Sequence, residues 1–477
     1  MLKKAFLTNS SGILLSRIFG FLRDMCMASI LGAGVFSDIF FIAFKLPNLF
    51  RRVFGEGAFT QSFLPSFIYA KNKGVFALSV GGIFVSVLLG LSLLVCFFSP
   101  FLTKLLAFGF PPDVIALASP IVRICFWYLL LVFIVTFFGT LLQYKNVFWV
   151  SAYNTALLNV CMILALLSAK DQDKLEIVYA LSYGVLCGGI AQIVLHFYPL
   201  YRYGFFKLFY HAFFALPSFY ANMHKHAQRF KKDLKSFFAQ FFPALLGSST
   251  AQLIAFIETF IASFLSFGSI SYLYYANRIF QLPLALFAIA TSTALFPMVA
   301  KAIKNSQQDV ALKKMSEAFW FLSLTLCFCV VGGIILKDEI ISLLYQRGSF
   351  GIEDTLKTAN VFALYLLGLL PFGISKILSL WLYSHKLQGK SAKYSLISLL
   401  CGTLLSLILI APYGVLGIAF SSSFAGSVLF FLNAKAMGRK NFFCIIANKK
   451  WALITLFALP LEALLVYGFK ILIQGYL

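Results

Sequence analysis

The chain has 477 residues, of which 61% are hydrophobic and only 12% charged, with a mean hydropathy of +0.91. Soluble domains carry about 25% charged residues, so a soluble enzyme or binding module is excluded and a polytopic membrane protein is expected. The formal net charge of +23 would suggest nucleic acid in a soluble chain. Here the cations sit mainly in short loops between apolar stretches, the pattern of a positive-inside membrane topology, and no nucleic-acid partner is expected.

The N-terminus, MLKKAF, has the basic start of a signal peptide. Arg17 and Arg23 interrupt the apolar run that would follow, and no small-residue cleavage site appears, so the first helix is expected to be retained. A helical span needs about 20 apolar residues. Spans are predicted near 6–31, 37–64, 76–98, 120–142, 149–169, 177–199, 237–265, 270–299, 317–336, 358–383, 394–411, 414–434 and 451–474. All are helical, because an open sheet cannot satisfy its backbone in lipid.

With the N-terminus inside, roughly 24 Lys and Arg fall in inside segments against about 8 outside. Arg17, Arg23, Lys45, Arg51, Arg52, Arg278 and Lys376 fall within helices. A weak internal repeat pairs Asp24 with Glu258, Ala28-Ser29 with Ala262-Ser263, Leu31 with Leu265, Gly34 with Gly268 and Ser37 with Ser271. Six predicted helices separate the copies, so both halves share one orientation, and a substrate site is expected between them. The expected fold is therefore two six-helix lobes related by a parallel pseudo-twofold repeat, plus about one further helix. The expected domains are an N-lobe (1–200), a basic aromatic cytoplasmic linker (201–236), a C-lobe (237–436) and a C-terminal segment (437–477). Aromatic and basic residues alternate in the linker, the composition of a segment lying among lipid headgroups.

The nine cysteines form no C-x-x-C pair and read as small core hydrophobes. No H-E-x-x-H or Cys/His cluster, Gly-rich phosphate loop or Ser-His-Asp order is present, so neither a metal nor an enzymatic activity is expected.

What stands out is charge inside apolar sequence. Ser16, Arg17, Arg23 and Asp24 lie on the first helix, and Asp38, Lys45, Arg51, Arg52 and Glu56 lie on or beside the second. Each unpaired charge near the bilayer centre costs roughly 2.5–3.5 kcal/mol, so the set persists only by facing an interior, pairing, or lining a wet passage. Pairing would join Arg23 to Asp38 and Arg52 to Glu56. The helix-borne acids Asp24, Asp38, Glu56, Glu258 and Glu462 still leave cations over, and an anion is the natural missing partner. Guanidinium groups bind phosphate bidentately, so Arg17, Arg23, Arg51, Arg52 and, from the other half, Arg278 suit a pyrophosphate. Glu258 stands alone in an apolar helix, as a proton carrier, cation ligand or structural hydrogen-bonding group. Lys376 either neutralises it or snorkels.

The stretches SRIFGFLRD, GAGVFSDIFFIAFKLPNLFRRVFGEGAFTQSFLP, YYANRIFQLP and LLYQRGSF resemble the MurJ/MviN family of lipid II flippases, in the MOP transporter superfamily. The resemblance runs from residue 1 to about 436. It implies two lobes around a cationic cavity that alternates between inward-open and outward-open forms in the bacterial cytoplasmic (inner) membrane. The implied substrate is undecaprenyl-pyrophosphate-linked disaccharide-pentapeptide, with membrane lipids and cell-wall synthesis proteins as further partners. Transport residues map to Arg17, Arg23, Asp24, Asp38, Arg51 or Arg52, and Arg278, with Ser16 and Asn159 lining the cavity. The segment around Glu56 is the expected cytoplasmic gate. No cofactor is implied, only the membrane potential and a coupling ion, H+ or Na+. In sodium-binding members, acids sit on the seventh and eleventh helices; Glu258 matches the first position and the eleventh span offers none. The family's lipid-tail groove uses two helices after the core, whereas one is predicted here. The rival readings are a related exporter of another lipid-linked oligosaccharide and a cation-coupled drug exporter. A drug exporter would favour acids and aromatics over an arginine cluster.

Overall fold

The computed structural model describes the backbone of residues 2–55, 58–221 and 223–476, with side chains over most of that length. Helices form throughout, with no strand among the described residues. Contacts divide the chain into two compact units, Met1–Phe260 and Ile261–Leu477. The division falls inside one long helix, so the linker and most of the seventh predicted span stay with the first unit.

The first unit runs α1 (Leu2–Leu31), α2 (Val35–Gly55), α3 (Ala58–Tyr69), α4 (Lys73–Leu106), α5 (Pro112–Phe126), α6 (Tyr128–Tyr144), α7 (Trp149–Ser168), α8 (Lys174–Arg202), α9 (Phe205–Ala221) and α10 (Met223–Ala262), which crosses the division. The predicted span 37–64 is divided between α2 and α3. The span predicted at 120–142 belongs to a longer membrane-crossing stretch, Pro112–Tyr144, which Pro112 opens at the first helical position, where its missing N–H costs nothing. The core is phenylalanine-rich because α3 places Phe59, Phe63 and Phe67 at i, i+4 spacing on one face. Their rings stack at 5.1 and 5.4 Å and meet Phe133 and Phe137 of α6 and Phe237 of α10 edge-on. Edge-to-face pairs of this kind add about 0.5–1.5 kcal/mol beyond burial.

The second unit runs α11 (Ser269–Pro283), a π-helical turn (Leu284–Ile289), α12 (Ala290–Lys304), α13 (Gln308–Ile335), α14 (Lys337–Tyr345), α15 (Ile352–Leu367), α16 (Leu369–Ser384), α17 (Gln388–Met437), α18 (Arg439–Ile446) and α19 (Lys449–Tyr476). α17 holds two predicted spans. It reverses at Gly414, whose φ of 53° and ψ of −129° suit glycine alone. The two limbs then pack through small residues: Ser398 Oγ donates to the Ala425 carbonyl at 2.6 Å, and a Cβ on Gly402 would sit 2.8 Å from that of Ala425. Small residues let membrane helices approach this closely. α19 packs on α13 and is tied by Lys470, which donates to the Ile335 carbonyl (2.9 Å) and pairs with Glu339 (3.2 Å).

Each unit carries one glycine of the pair matched in the sequence, Gly34 in the first and Gly268 in the second. The Asp38 N–H donates to the Gly34 carbonyl at 3.0 Å, and the Tyr272 N–H donates to the Gly268 carbonyl at 2.8 Å. In each case the glycine sits at the turn that opens α2 or α11. By length and composition, nine stretches among the described residues are apolar enough to cross a membrane, which makes the chain a multi-pass membrane protein.

Candidate functional site

The first unit gathers Ser16, Arg23, Asp24 and Asn159 into one polar cluster where α1 packs along α7. Arg23 is only 8% exposed and Asp24 is fully buried. Both Nε and Nη2 of Arg23 donate to Asp24 Oδ1, at 3.1 and 2.5 Å. Nη1 donates to Asn159 Oδ1 at 3.1 Å and approaches Met162 Sδ at 3.8 Å. Asn159 in turn donates from Nδ2 to the Ser16 carbonyl at 3.4 Å. Asn159 and Met162 lie three apart on α7, on one helix face, and so clamp the guanidinium together. A salt bridge thus joins Arg23 to its own neighbour. Asp38 is also buried.

Arg17 lies six residues before Arg23, about 9 Å along the α1 axis. It is exposed, and no described side chain pairs with it. One helix therefore carries two arginines of different character: Arg23 is locked into the interior, while Arg17 presents an accessible guanidinium.

On α2, Arg51 donates from Nε and Nη2 to Asn48 Oδ1 at 3.2 and 3.0 Å. The side chain of Arg52, and Glu56, lie outside the described residues. Lys45 donates to Thr259 Oγ1 at 2.6 Å, joining α2 to α10 beside a small hollow lined by Ile42, Lys45, Leu106, Phe256 and Thr259. Glu258 is half-buried on the same helix.

In the second unit, Arg278 is half-buried on α11, between the buried residues Tyr275 and Ile279. Its neighbour Asn277 accepts a bond from Gln281 at 3.2 Å. Lys376 is exposed on α16, although its chain neighbours Ser375 and Ile377 are buried.

Two participants had little signal in the sequence. Met162 is an ordinary apolar residue until α7 is laid against α1. Thr259 is inconspicuous beside Glu258, although an intramembrane Lys45 demands an acceptor somewhere.

The chain matches the family model described as lipid II flippase MurJ over residues 27–477. It is 57% identical over 445 residues to a probable lipid II flippase MurJ of Helicobacter pylori strain J99, covering 93% of this chain and 97% of that one. A probable lipid II flippase MurJ of Buchnera aphidicola from Acyrthosiphon pisum is 33% identical, covering 91% and 84%. Among solved structures, a lipid II flippase MurJ in an inward closed conformation superposes with a TM-score of 0.76 at 25% identity, covering 97% of both chains. An inward-facing multidrug resistance MATE transporter of the MOP superfamily shares the fold, with a TM-score of 0.68 at 11% identity over 93% of this chain and 99% of that one. The chain belongs to the MurJ family of lipid II flippases.

Proposed function

We propose that this chain moves lipid II from the inner to the outer leaflet of the bacterial cytoplasmic membrane by alternating access, with its N-terminus in the cytoplasm. It is a transporter rather than an enzyme: the lipid changes leaflet and no covalent bond is made or broken. The observation that carries the reading beyond family membership is the contrast on α1 between a clamped Arg23 and an accessible Arg17.

The two arginines divide the work. Arg17 takes an oxygen pair of the diphosphate, replacing its hydration with a bidentate contact. Arg23, neutralised by Asp24 and oriented by Asn159, fixes the polar wall without being drawn onto the ligand. Arg278, Asp38, Arg51, Arg52 and Ser16 are the further residues assigned to headgroup recognition. The polyprenyl tail stays in lipid, where its transfer costs nothing. Glu56 belongs to the cytoplasmic gate. The ligand shifts the equilibrium between inward and outward forms only by its differential affinity for the two.

An inside-negative potential favours outward movement of an anionic headgroup by about 2.3 kcal/mol per charge per 100 mV, so no nucleotide is required. If an ion is coupled as well, Glu258 and Lys376 are the residues assigned to carry H+ or help hold Na+. Cell-wall synthesis proteins that consume the flipped lipid are the fitting partners.

Arg278→Ala tests the assignment. The variant is expected to remain folded in the membrane but to leave lipid II in the inner leaflet, read as the fraction cut by an added membrane-impermeant enzyme. Normal flipping by that variant would refute the role given to Arg278.

A further inference from the structure

We infer that one end of the first unit is a built binding surface for anionic phospholipid headgroups, centred on α9. Chain geometry brings this surface together from segments far apart in sequence. α8 ends at Arg202, and Gly204 turns the chain through a φ of 76° into α9. α9 then crosses the start of α4 so closely that a Cβ on Gly74 would lie 2.8 Å from Ala212 Cβ and 3.0 Å from the Leu208 carbonyl. Phe230 of α10 closes the junction, buried with Val75 and Ala212. The end of α6 joins through Tyr144, whose hydroxyl accepts a 2.7 Å bond from Lys73. The ends of α6 and α8 and the starts of α4 and α9 therefore meet at one end of the unit.

The α9 faces are sharply divided. Phe205, Leu208, Phe209 and Ala212 turn inward, with Phe209 stacked on Phe137 of α6. Phe206 (40% exposed), Tyr210 (63%), Phe213 (65%) and Phe214 (64%) face outward. At 3.6 residues per turn these four occupy an arc of about 100°, and Lys207 and His211, both exposed, border it on one side. An aromatic stripe flanked by cations is the pattern of a helix lying in the headgroup plane of a bilayer.

Charge decides which headgroups. Lys71, Lys145, Arg202, Lys207, Lys231, Lys232 and Lys235 are exposed here and Lys73 is half-buried, against one acid on the same segments, Asp233. Each cation near an anionic leaflet adds attraction that falls off within a Debye length. A zwitterionic surface would offer no return for that density, and a soluble partner would not call for ring-bearing residues at the level where the spanning helices end.

The full chain in detergent, mixed with phosphatidylglycerol and phosphatidylcholine, tests the proposal by native mass spectrometry of retained lipid. The unaltered chain is expected to retain phosphatidylglycerol preferentially. K231Q/K232Q/K235Q is expected to lose that preference by about tenfold or more, while K104Q/K170Q, at the opposite helix ends, keeps it. Equal retention of the two lipids by the unaltered chain, or equal loss in both variants, overturns the proposal. A second readout covers the stripe. Phe213→Trp, read as a difference from the unaltered chain in vesicles containing one-third phosphatidylglycerol, is expected to show an added fluorescence quenched by lipids brominated near the headgroup. An introduced fluorophore that only an aqueous quencher reaches overturns the placement of α9 against the membrane.

Discussion

The Arg23–Asp24 pair offers the most direct test of how this chain holds charge inside the membrane. Two guanidinium nitrogens reach one carboxylate oxygen at 2.5 and 3.1 Å, with the acid fully buried. At an effective dielectric near 20, unit charges roughly 3 Å apart attract by on the order of 5 kcal/mol before desolvation is counted. Removing one partner strips the other of this charge compensation while it stays buried, so D24A is expected to destabilise the fold by about 3–5 kcal/mol. D24N retains an acceptor for Arg23 and is expected to cost about half as much. Replacing both by apolar residues of similar size, R23M/D24L, is expected to recover most of the stability, because two desolvation penalties vanish together. Stability is read as the unfolding free energy in a detergent titration, and flipping as the accessible fraction of lipid II. The double variant is expected to be stable and inactive, since the polar wall that orients the headgroup is gone. A double variant as unstable as D24A would refute the energetic reasoning. One that flips lipid II normally would show the pair to be structural alone.

Further expectations concern the rest of the structure. Lys45→Met removes the 2.6 Å bond to Thr259, a charged hydrogen bond worth about 1.5–3 kcal/mol; Thr259→Val is expected to destabilise in the same direction, and combining the two to add little, as a double-mutant cycle would show. Gly417→Ala places a Cβ 2.5 Å from the Leu409 carbonyl oxygen, which is backbone and cannot swing aside. The α17 hairpin should lose about 1–3 kcal/mol, seen as a lower yield of monodisperse protein. Lys470→Glu sets two acids together at the foot of α19 and is expected to raise protease cleavage near that helix, with E339K/K470E restoring protection; no rescue by the swapped pair would mean that the Glu339 contact is incidental.

Much of the architecture is legible in the linear chain because lipid imposes blunt rules. A helix must be long and apolar to cross, cations collect on one side, and turns need glycine. The predicted break between the two limbs of α17 coincides with Gly414 for that reason. Gly34 and Gly268 were legible as matched turn positions, and each precedes a helix with its carbonyl accepting the fourth residue's N–H. Span limits were less so: α5 extends to Pro112 because packing within the first unit supports helix beyond the minimum that lipid requires.

The charged residues divide along the same line. That Arg17, Arg23, Asp24 and Lys45 require partners or water followed from their place in apolar sequence, because the cost of an isolated charge in hydrocarbon does not depend on the fold. Which partners they have was a matter for tertiary structure. Asn159 and Met162 come to Arg23 only when α7 lies along α1, and Thr259 reaches Lys45 only when α10 returns to α2. The aromatic face of α9 shows the same division, its composition readable in order but its exposed side set by the close crossing at Gly74. Hydropathy and charge sign are properties of single residues and survive in a string, whereas hydrogen-bond partners more than a hundred residues apart exist only once packing has chosen which helix faces meet.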